Sequence, residues 1–339
     1  MREIIGKLLS AETLTEEEAG RLVAYLTGED LDPAVAAAAL AGMRTRGETA
    51  DEVRVFATEL QGMALRPEIP DTSRAVDVVG TGGDYSGSFN LSTGAALLAA
   101  AAGAQIIKHG NRSVSSRSGS FDVLAALGLD VPWDAARAGE IFDETGFTYL
   151  FAPSFHPAMK SVAPVRQALG ARTIFNLVGP LANPAQTPFL VVGAFSPGAA
   201  RMMADTLSGM EIARAFVVHG EPGWDEPTPV GPYLLLEVTR GDVTERVEDP
   251  ADFGFERCRP SDLAGGNPAH NAAAIRRVFA GEPGPHRDAL VLGASLALRV
   301  TGSTPPTAVQ LAREALDQGA ARDLLKRLSA GAHRERIGV

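Results

Sequence analysis

The sequence predicts an α/β protein, with an all-helical segment first and then a larger body built on a mostly parallel central sheet. Residues 1 to about 66 carry helix signals only. From residue 75 onward, short β-branched runs alternate with stretches able to hold a helix, the pattern of a parallel sheet with helical crossovers. The composition agrees: of 339 residues, 45% are hydrophobic, 21% charged and 6% aromatic. That is a globular profile, with room for two domains at about 150 residues each.

The helical segment is read from its caps. Thr15 with Glu18 and Thr49 with Glu52 fit capping boxes, in which hydroxyl and carboxylate satisfy each other's orphan amides. Asp32-Pro33 places an N-cap before a proline at the first helical position. Ala19, Leu22, Val23 and Leu26 recur at helical spacing, as do the apolar residues of 50–65, and form core stripes. The Pro-rich stretch from Arg66 to Ser73 reads as a linker.

Strands are expected at Ala75–Val79, Gln105–Ile107, Thr148–Phe151, Phe189–Phe195 and Ala215–Val218. The stretch 156–186 interrupts the alternation, with helical spacing and no strand signal. Residues 267–300 and 305–330 return to helix. Glycine (36 residues) and abundant alanine favour close helix packing and tight turns.

Several classes of function are disfavoured at once. A single cysteine, Cys258, excludes an intrachain disulfide framework and Cys-based zinc or iron–sulfur sites. The balance of 31 basic against 41 acidic residues (net −10) is the wrong sign for gripping nucleic acid. The longest apolar stretch, Gly94–Ile107, is shorter than the roughly 20 residues of a membrane span. The N-terminus turns acidic at once and has no secretory h-region, so a cytoplasmic location without membrane attachment is expected.

Four motifs carry chemistry. Gly80-Thr-Gly-Gly83-Asp84 follows a strand, and Ser88, Asn90, Ser92 and Thr93 lead into an Ala-rich helix. Amide donors and a helix N-terminus are thereby aimed at one place, as in phosphate sites, although the loop fits neither Walker A nor a dinucleotide fingerprint. Alone, it reads equally as a structural turn. Lys108-His109-Gly-Asn111-Arg112, followed by Ser113, Ser116, Arg117 and Ser120, repeats cations and hydroxyls at the end of a strand, where open α/β sheets bind ligands. The alternative is a solvated polar loop. Asp225-Glu226, again beyond a strand, reads alone as an ordinary acidic surface pair, but beside a phosphate loop it suits Mg²⁺ held together with phosphate oxygens. On the 156–186 stretch, Arg166 and Arg172 each suit a carboxylate substrate or a plain surface position.

Together these motifs resemble the anthranilate phosphoribosyltransferase family over nearly the whole chain, most tightly from about 76 to 193. The resemblance implies transfer of phosphoribosyl from phosphoribosyl pyrophosphate (PRPP) to the amine of anthranilate in tryptophan biosynthesis, with Mg²⁺ as cofactor. It implies the two-domain plan shared with nucleoside phosphorylases. Residues 1–66 plus about 156–186 would form a small helical domain, and 72–155 plus 187–339 the large α/β domain. A homodimer through the helical domain is also implied. PRPP contacts carry over to Gly80, Gly83, Asp84, Ser88, Asn90, Thr93, Lys108, Ser116 and Ser120. Anthranilate contacts carry over to Gly80, His109, Asn111 and Arg166, and metal contacts to Ser92, Asp225 and Glu226.

Some positions depart from the family pattern. Tyr85, Ser113 and Phe121 stand where smaller or different residues are usual, Ser88 replaces a threonine, Ala125 a glutamate, and Pro227 follows the acidic pair. The Gly231-Pro232-Tyr233 run lacks the expected polar pattern. These changes spare the phosphate and metal ligands and bear on the acceptor pocket. The rival readings are a pyrimidine-nucleoside phosphorylase and a non-catalytic nucleic-acid-binding relative. His109-Gly-Asn111 with Asp225-Glu226 favours the anthranilate enzyme over the first, and the acidic balance speaks against the second.

Overall fold

The computed structural model describes residues 1–337 apart from 113–117, 130 and 133, with side chains described as far as residue 330. Four helices open the chain: α1 (Arg2–Leu9), α2 (Glu16–Thr27), α3 (Pro33–Arg46) and α4 (Ala50–Met63). Both capping boxes form, and Asp32 accepts from the amides of Ala34 and Val35.

The sheet body then runs β1 (Ala75–Gly80), α5 (Leu91–Ala101), β2 (Gln105–Gly110), α6 (Ser120–Ala126), α7 (Ala135–Thr145) and β3 (Phe147–Phe151). The 156–186 stretch contributes short helices only. It is preceded by α8 (Ala152–Phe155) and holds α9 (Ala163–Leu169) and α10 (Phe175–Val178). The sheet resumes with β4 (Phe189–Gly193), α11 (Pro197–Ser208), β5 (Arg214–Gly220), β6 (Tyr233–Thr239) and β7 (Asp242–Glu248). Helices α12 (Pro268–Phe279), α13 (Pro285–Val300), α14 (Pro305–Asp317) and α15 (Ala320–Ile337) complete the fold.

The described strands form one sheet in the order β3-β2-β1-β4-β5-β6-β7. Pairing is parallel from β3 to β5 and antiparallel at β5–β6 and β6–β7. The hairpin β6–β7 is not among the strands expected from the sequence, although Val243, Glu245 and Val247 alternate after a turn at Arg240-Gly241. Strand order departs from β1 in both directions, to β2 on one side and β4 on the other. That is a topological switch point, and ligands of open α/β sheets bind beyond the carboxyl ends of the strands there.

Alternation along the central strands splits the interior in two. Val76, Val78, Val191, Phe216 and Val218 face a core shared with α5 and α12–α15. Leu190, Val192, Ala215 and Val217 face a second core made with the N-terminal helices, α9, α10 and α11. The expected close helix packing is realised at α5 against α13. A Cβ on Gly94 would fall 2.6 Å from Leu290 Cδ2, and one on Gly293 2.8 Å from the Ala95 Cβ.

The 156–186 stretch packs on the N-terminal helices. Phe175 meets Phe56 edge-on at 5.9 Å, and the Gln61 amide donates to the Leu181 carbonyl at 2.8 Å.

Candidate active site

Carboxyl ends of β1, β2, β4 and β5 converge on one region. Gly80 closes β1, and the loop beyond it passes through left-handed backbone at Gly82 (φ +63°), Gly83 (φ +71°) and Tyr85 (φ +57°). Thr81 N–H donates to Gly193 O at 2.9 Å, anchoring the loop to β4. The acidic pair lies directly over it. Gly82 N–H donates to Asp225 Oδ2 at 2.7 Å, and Asp225 N–H donates to Asp84 Oδ2 at 3.2 Å. A Cβ on Gly80 would stand 2.6 Å from Asp225 Oδ2, so glycine is required there by proximity.

Glu226 reaches the start of α5, where Ser92 N–H donates to its Oε1 at 3.0 Å. Asn90, the residue before α5, is held at both ends of its amide. Its Nδ2 donates to Ser118 O at 3.1 Å, and its Oδ1 accepts from Asn271 on α12 at 2.9 Å. Ser88 Oγ lies 3.1 Å from Ser86 Oγ, and Asp84 Oδ1 accepts from the Ser86 amide and hydroxyl. Thr93 Oγ1 is buried and has no partner among the described residues.

Lys108 and His109 lie inside β2, which extends three residues beyond the strand the sequence predicts. Lys108 is buried, with its ammonium on the Val78 carbonyl. Burial pushes its pKa down, while Asp77, Glu226 and Asp225 pull it back up. Asp77, on β1, accepts from the His109 amide at 3.2 Å and from Asn183 Nδ2 at 2.8 Å. Burial lifts Asp77 to about 6 against the pull of Lys108. Burial, then His156 and Lys108, hold His109 well below the ordinary imidazole value, so its ring is neutral at pH 7. Its centroid is 5.1 Å from that of His156, and both Nε2 atoms are buried without a partner among the described residues.

Asn111 and Ser120 form the rim beyond β2. Ser120 Oγ donates to Asn111 O at 3.2 Å and lies 2.9 Å from the Tyr149 hydroxyl. Arg112 stacks over Phe121 at 4.6 Å, with Phe151 behind. Ser113 and Ser116 lie outside the described residues.

The two arginines of the 156–186 stretch are placed differently. Arg166, on α9, stacks over Phe175 at 5.0 Å, and burial lowers its pKa. Among the described residues its guanidinium has no carboxylate partner. Arg172 crosses to the Gly-rich loop and donates to the Gly83 carbonyl.

Burial and then Asp84 raise Asp225 to about 7, and burial and then Asp225 raise Glu226 to about 8. Carboxylates crowded in this way are relieved by a cation. The donor set, the carboxylate oxygens of Asp225 and Glu226 with Ser92 bonded to Glu226, suits the oxygen-preferring Mg²⁺. Among the described residues no group of three or more His, Cys, Asp or Glu side chains is set to hold a metal unaided.

Residues 2–64 match the helical bundle domain of a glycosyl transferase family, and residues 72–322 match that family's a/b domain. An anthranilate phosphoribosyltransferase from Desulforudis audaxviator is 43% identical over 331 residues, spanning 97% of this chain and 95% of its own. The chain belongs to the anthranilate phosphoribosyltransferase family.

Solved structures agree. The anthranilate phosphoribosyltransferase of Thermus thermophilus superposes with a TM-score of 0.90 at 42% identity, covering 97% of this chain and 99% of that one. The Saccharomyces cerevisiae enzyme, in complex with PRPP and Mg, shares the fold, with a TM-score of 0.88 at 24% identity over 98% and 97% of the two chains.

Within this anthranilate phosphoribosyltransferase fold, the described residues expected to bind phosphate and metal gather at the ends of β1, β2, β5 and α5. Arg166 lies on α9, in the segment packed against the N-terminal helices. Sequence reading misses Asp77, Tyr149, Asn183, Phe195 and Asn271, which fix the site residues from behind. Each is a lone residue inside a strand, turn or helix, without a local pattern to mark it. The departures also find places. Tyr85 is 84% exposed, Phe121 joins the Arg112 stack, and Pro227 is buried.

Proposed function

We propose that this chain transfers the phosphoribosyl group of PRPP to the amine of anthranilate, giving N-(5-phosphoribosyl)anthranilate and pyrophosphate. The observation that carries this reading is the Gly80–Asp84 loop lying directly under the Asp225–Glu226 pair at the switch point of the sheet. Membership of the family supports it.

Gly80, Gly83, Asp84, Ser88, Asn90, Thr93, Lys108, Ser116 and Ser120 would bind PRPP. Asp225, Glu226 and Ser92 would hold Mg²⁺, which when bound neutralises charge on the leaving pyrophosphate. Gly80, His109, Asn111 and Arg166 would contact anthranilate. Arg166 supports this, since a half-buried guanidinium with no carboxylate partner among the described residues matches a planar carboxylate in two-point fashion.

In the reaction the amine nitrogen attacks C1 of the ribose, the C1–O bond to pyrophosphate breaks, and the amine gives up one proton. An aromatic amine is nucleophilic while neutral, so the residues act mainly by positioning and by electrostatic stabilisation. Lys108 holds positive charge behind the loop, and the neutral His109 and His156 line an uncharged wall.

The helical domain is proposed to comprise residues 1–66 with about 156–186, and to form a homodimer. Leu9, 77% exposed on α1, supports an apolar contact there. No described helix is long and apolar enough to cross a membrane, and a cytoplasmic location is proposed. The test is loss of anthranilate fluorescence in the presence of PRPP and Mg²⁺. No loss, beside an active family member, overturns the reading, and phosphorolysis of thymidine or uridine would replace it with the phosphorylase.

A further inference from the structure

We propose that Arg172 is a positioning residue for PRPP. It holds the Gly80–Asp84 loop in its binding shape and ties that loop to the segment that carries Arg166. The inference rests on the transferase reading above.

Two adjacent glycines with positive φ make the loop the most permissive backbone in the site, so its amides stay aimed only if something outside restrains them. One restraint is Asp225, through Gly82 and Asp84. Arg172 supplies another. Its Nη2 donates to Gly83 O. The guanidinium lies so close to the glycine that a Cβ there would be 3.3 Å from Nη2 and 3.5 Å from Nε.

Arg172 is itself fixed by Phe195, whose ring centroid is 3.8 Å from Cζ. The Phe195 N–H in turn donates to Thr81 Oγ1 at 3.1 Å. A closed circuit results, running Arg172, Gly83, Thr81, Phe195 and back to Arg172. The exposed Tyr85 ring stands 5.8 Å from the same guanidinium on the solvent side.

The circuit spans two parts of the fold. Thr81 and Gly83 follow β1, and Phe195 follows β4. Arg172 lies between α9 and α10, on the segment that packs Phe175 against Phe56. A shift of that segment is therefore passed to the Gly83 peptide. Lysine cannot reproduce the arrangement, because a flat guanidinium stacks and donates at once whereas an ammonium is a point charge.

The experiment compares wild type, Arg172→Ala, Arg172→Lys and Phe195→Leu. It uses calorimetric titration with PRPP and Mg²⁺, the Michaelis constant for anthranilate at saturating PRPP, and hydrogen exchange at the amides of residues 82–85. Arg172→Ala is expected to weaken PRPP by about tenfold or more. Exchange at 82–85 should quicken, and the anthranilate constant should stay within about twofold. Arg172→Lys should recover part of the loss, and Phe195→Leu should follow in the same direction with a smaller effect.

Unchanged PRPP affinity with unchanged exchange overturns the proposal, as does a rise confined to the anthranilate constant. If Arg172→Ala does not fold, the lysine and Phe195 variants decide by the same criteria. A wild type that binds PRPP without consuming anthranilate refutes the acceptor assignment, while titration and exchange still judge Arg172. A wild type that binds no PRPP refutes the transferase reading, and exchange alone then decides.

Discussion

Gly82 N–H donates to Oδ2 of Asp225 at 2.7 Å, bridging 143 residues of sequence. That bond, with Asp225 N–H on Asp84 Oδ2, makes the Gly-rich loop and the acidic pair one structural unit. Neither motif is decisive alone as a sequence. Their contact makes the same residues serve as hydrogen-bond acceptors for the loop and as ligands proposed for Mg²⁺.

Asp225→Asn combined with Glu226→Gln should abolish most turnover while leaving the fold intact. The amides keep acceptor oxygens for Gly82 and Ser92 and remove the charge that would hold Mg²⁺. A loss on the order of a hundredfold or more in kcat is expected, since charge neutralisation at a leaving phosphate is worth several kcal/mol. The melting temperature should change little. Near-normal kcat at limiting Mg²⁺ would count against the metal assignment.

Gly80→Ala should depress activity in a folded protein. The new methyl meets Asp225 Oδ2 at 2.6 Å, and the carboxylate can move only by giving up Gly82. PRPP affinity measured by calorimetry should fall, with circular dichroism unchanged. A variant that binds PRPP as tightly as wild type would show that the close approach has no bearing on the site.

Lys108→Met should weaken PRPP and lower stability together. Lys108 is buried on the Val78 carbonyl with Asp77, Asp225 and Glu226 around it, and its removal leaves those carboxylates without a counter-charge. Loss of a charge-assisted contact costs roughly 1.5–3 kcal/mol, one to two decades in affinity. Separate titrations with PRPP and with anthranilate are the check, and equal weakening of both would refute a role specific to PRPP.

How much is legible in the sequence follows from what is local. Capping boxes at Thr15 and Thr49 lie within four residues, and both form as read. Gly80–Asp84 and Asp225-Glu226 are short runs with a chemical signature, and the fold brings them together. The sequence puts Lys108 on a loop, yet it lies inside β2, because strand length depends on pairing with β3, which a single segment does not encode. Asn271 reaches Asn90 across 181 residues, and Arg172 reaches Gly83 across 89. No periodicity marks such partners. The hairpin β6–β7 escapes sequence reading since Leu234, Leu235 and Leu236 hide the alternation that a half-buried strand would give.

Acid stability should depend on Glu248. Burial would raise its carboxyl, but Arg299, Tyr233 and Arg246 override burial and hold it at about 2. A depressed carboxyl adds stability above its unfolded value of about 4.3, and that stability is lost as pH falls toward 2. Discounted for solvent screening, Glu248→Gln should cost about 1–2 kcal/mol at pH 7. The gap from wild type should close between pH 4.5 and 2. Urea midpoints at pH 7 and pH 3 provide the measurement, and a gap as large at pH 3 as at pH 7 would contradict the argument.

Arg166→Ala should impair use of anthranilate and leave PRPP binding nearly untouched. Arg166 lies on α9, with its guanidinium stacked on Phe175 and unpaired with any described carboxylate. Burial lowers its pKa, and a guanidinium keeps its charge in proteins. An incoming carboxylate would supply the missing partner, and a guanidinium fork matches both of its oxygens. Arg166→Lys should therefore restore only part of the function, because charge returns without the two-point contact or the stack. Arg172 carries the same charge six residues on, yet its donor is engaged by the Gly83 carbonyl, so the two arginines should separate by substrate. Arg166→Ala is expected to raise the Michaelis constant for anthranilate by about tenfold or more, with PRPP affinity within about twofold of wild type. If that constant instead stays fixed in Arg166→Ala and rises in Arg172→Ala, the carboxylate clamp belongs to Arg172.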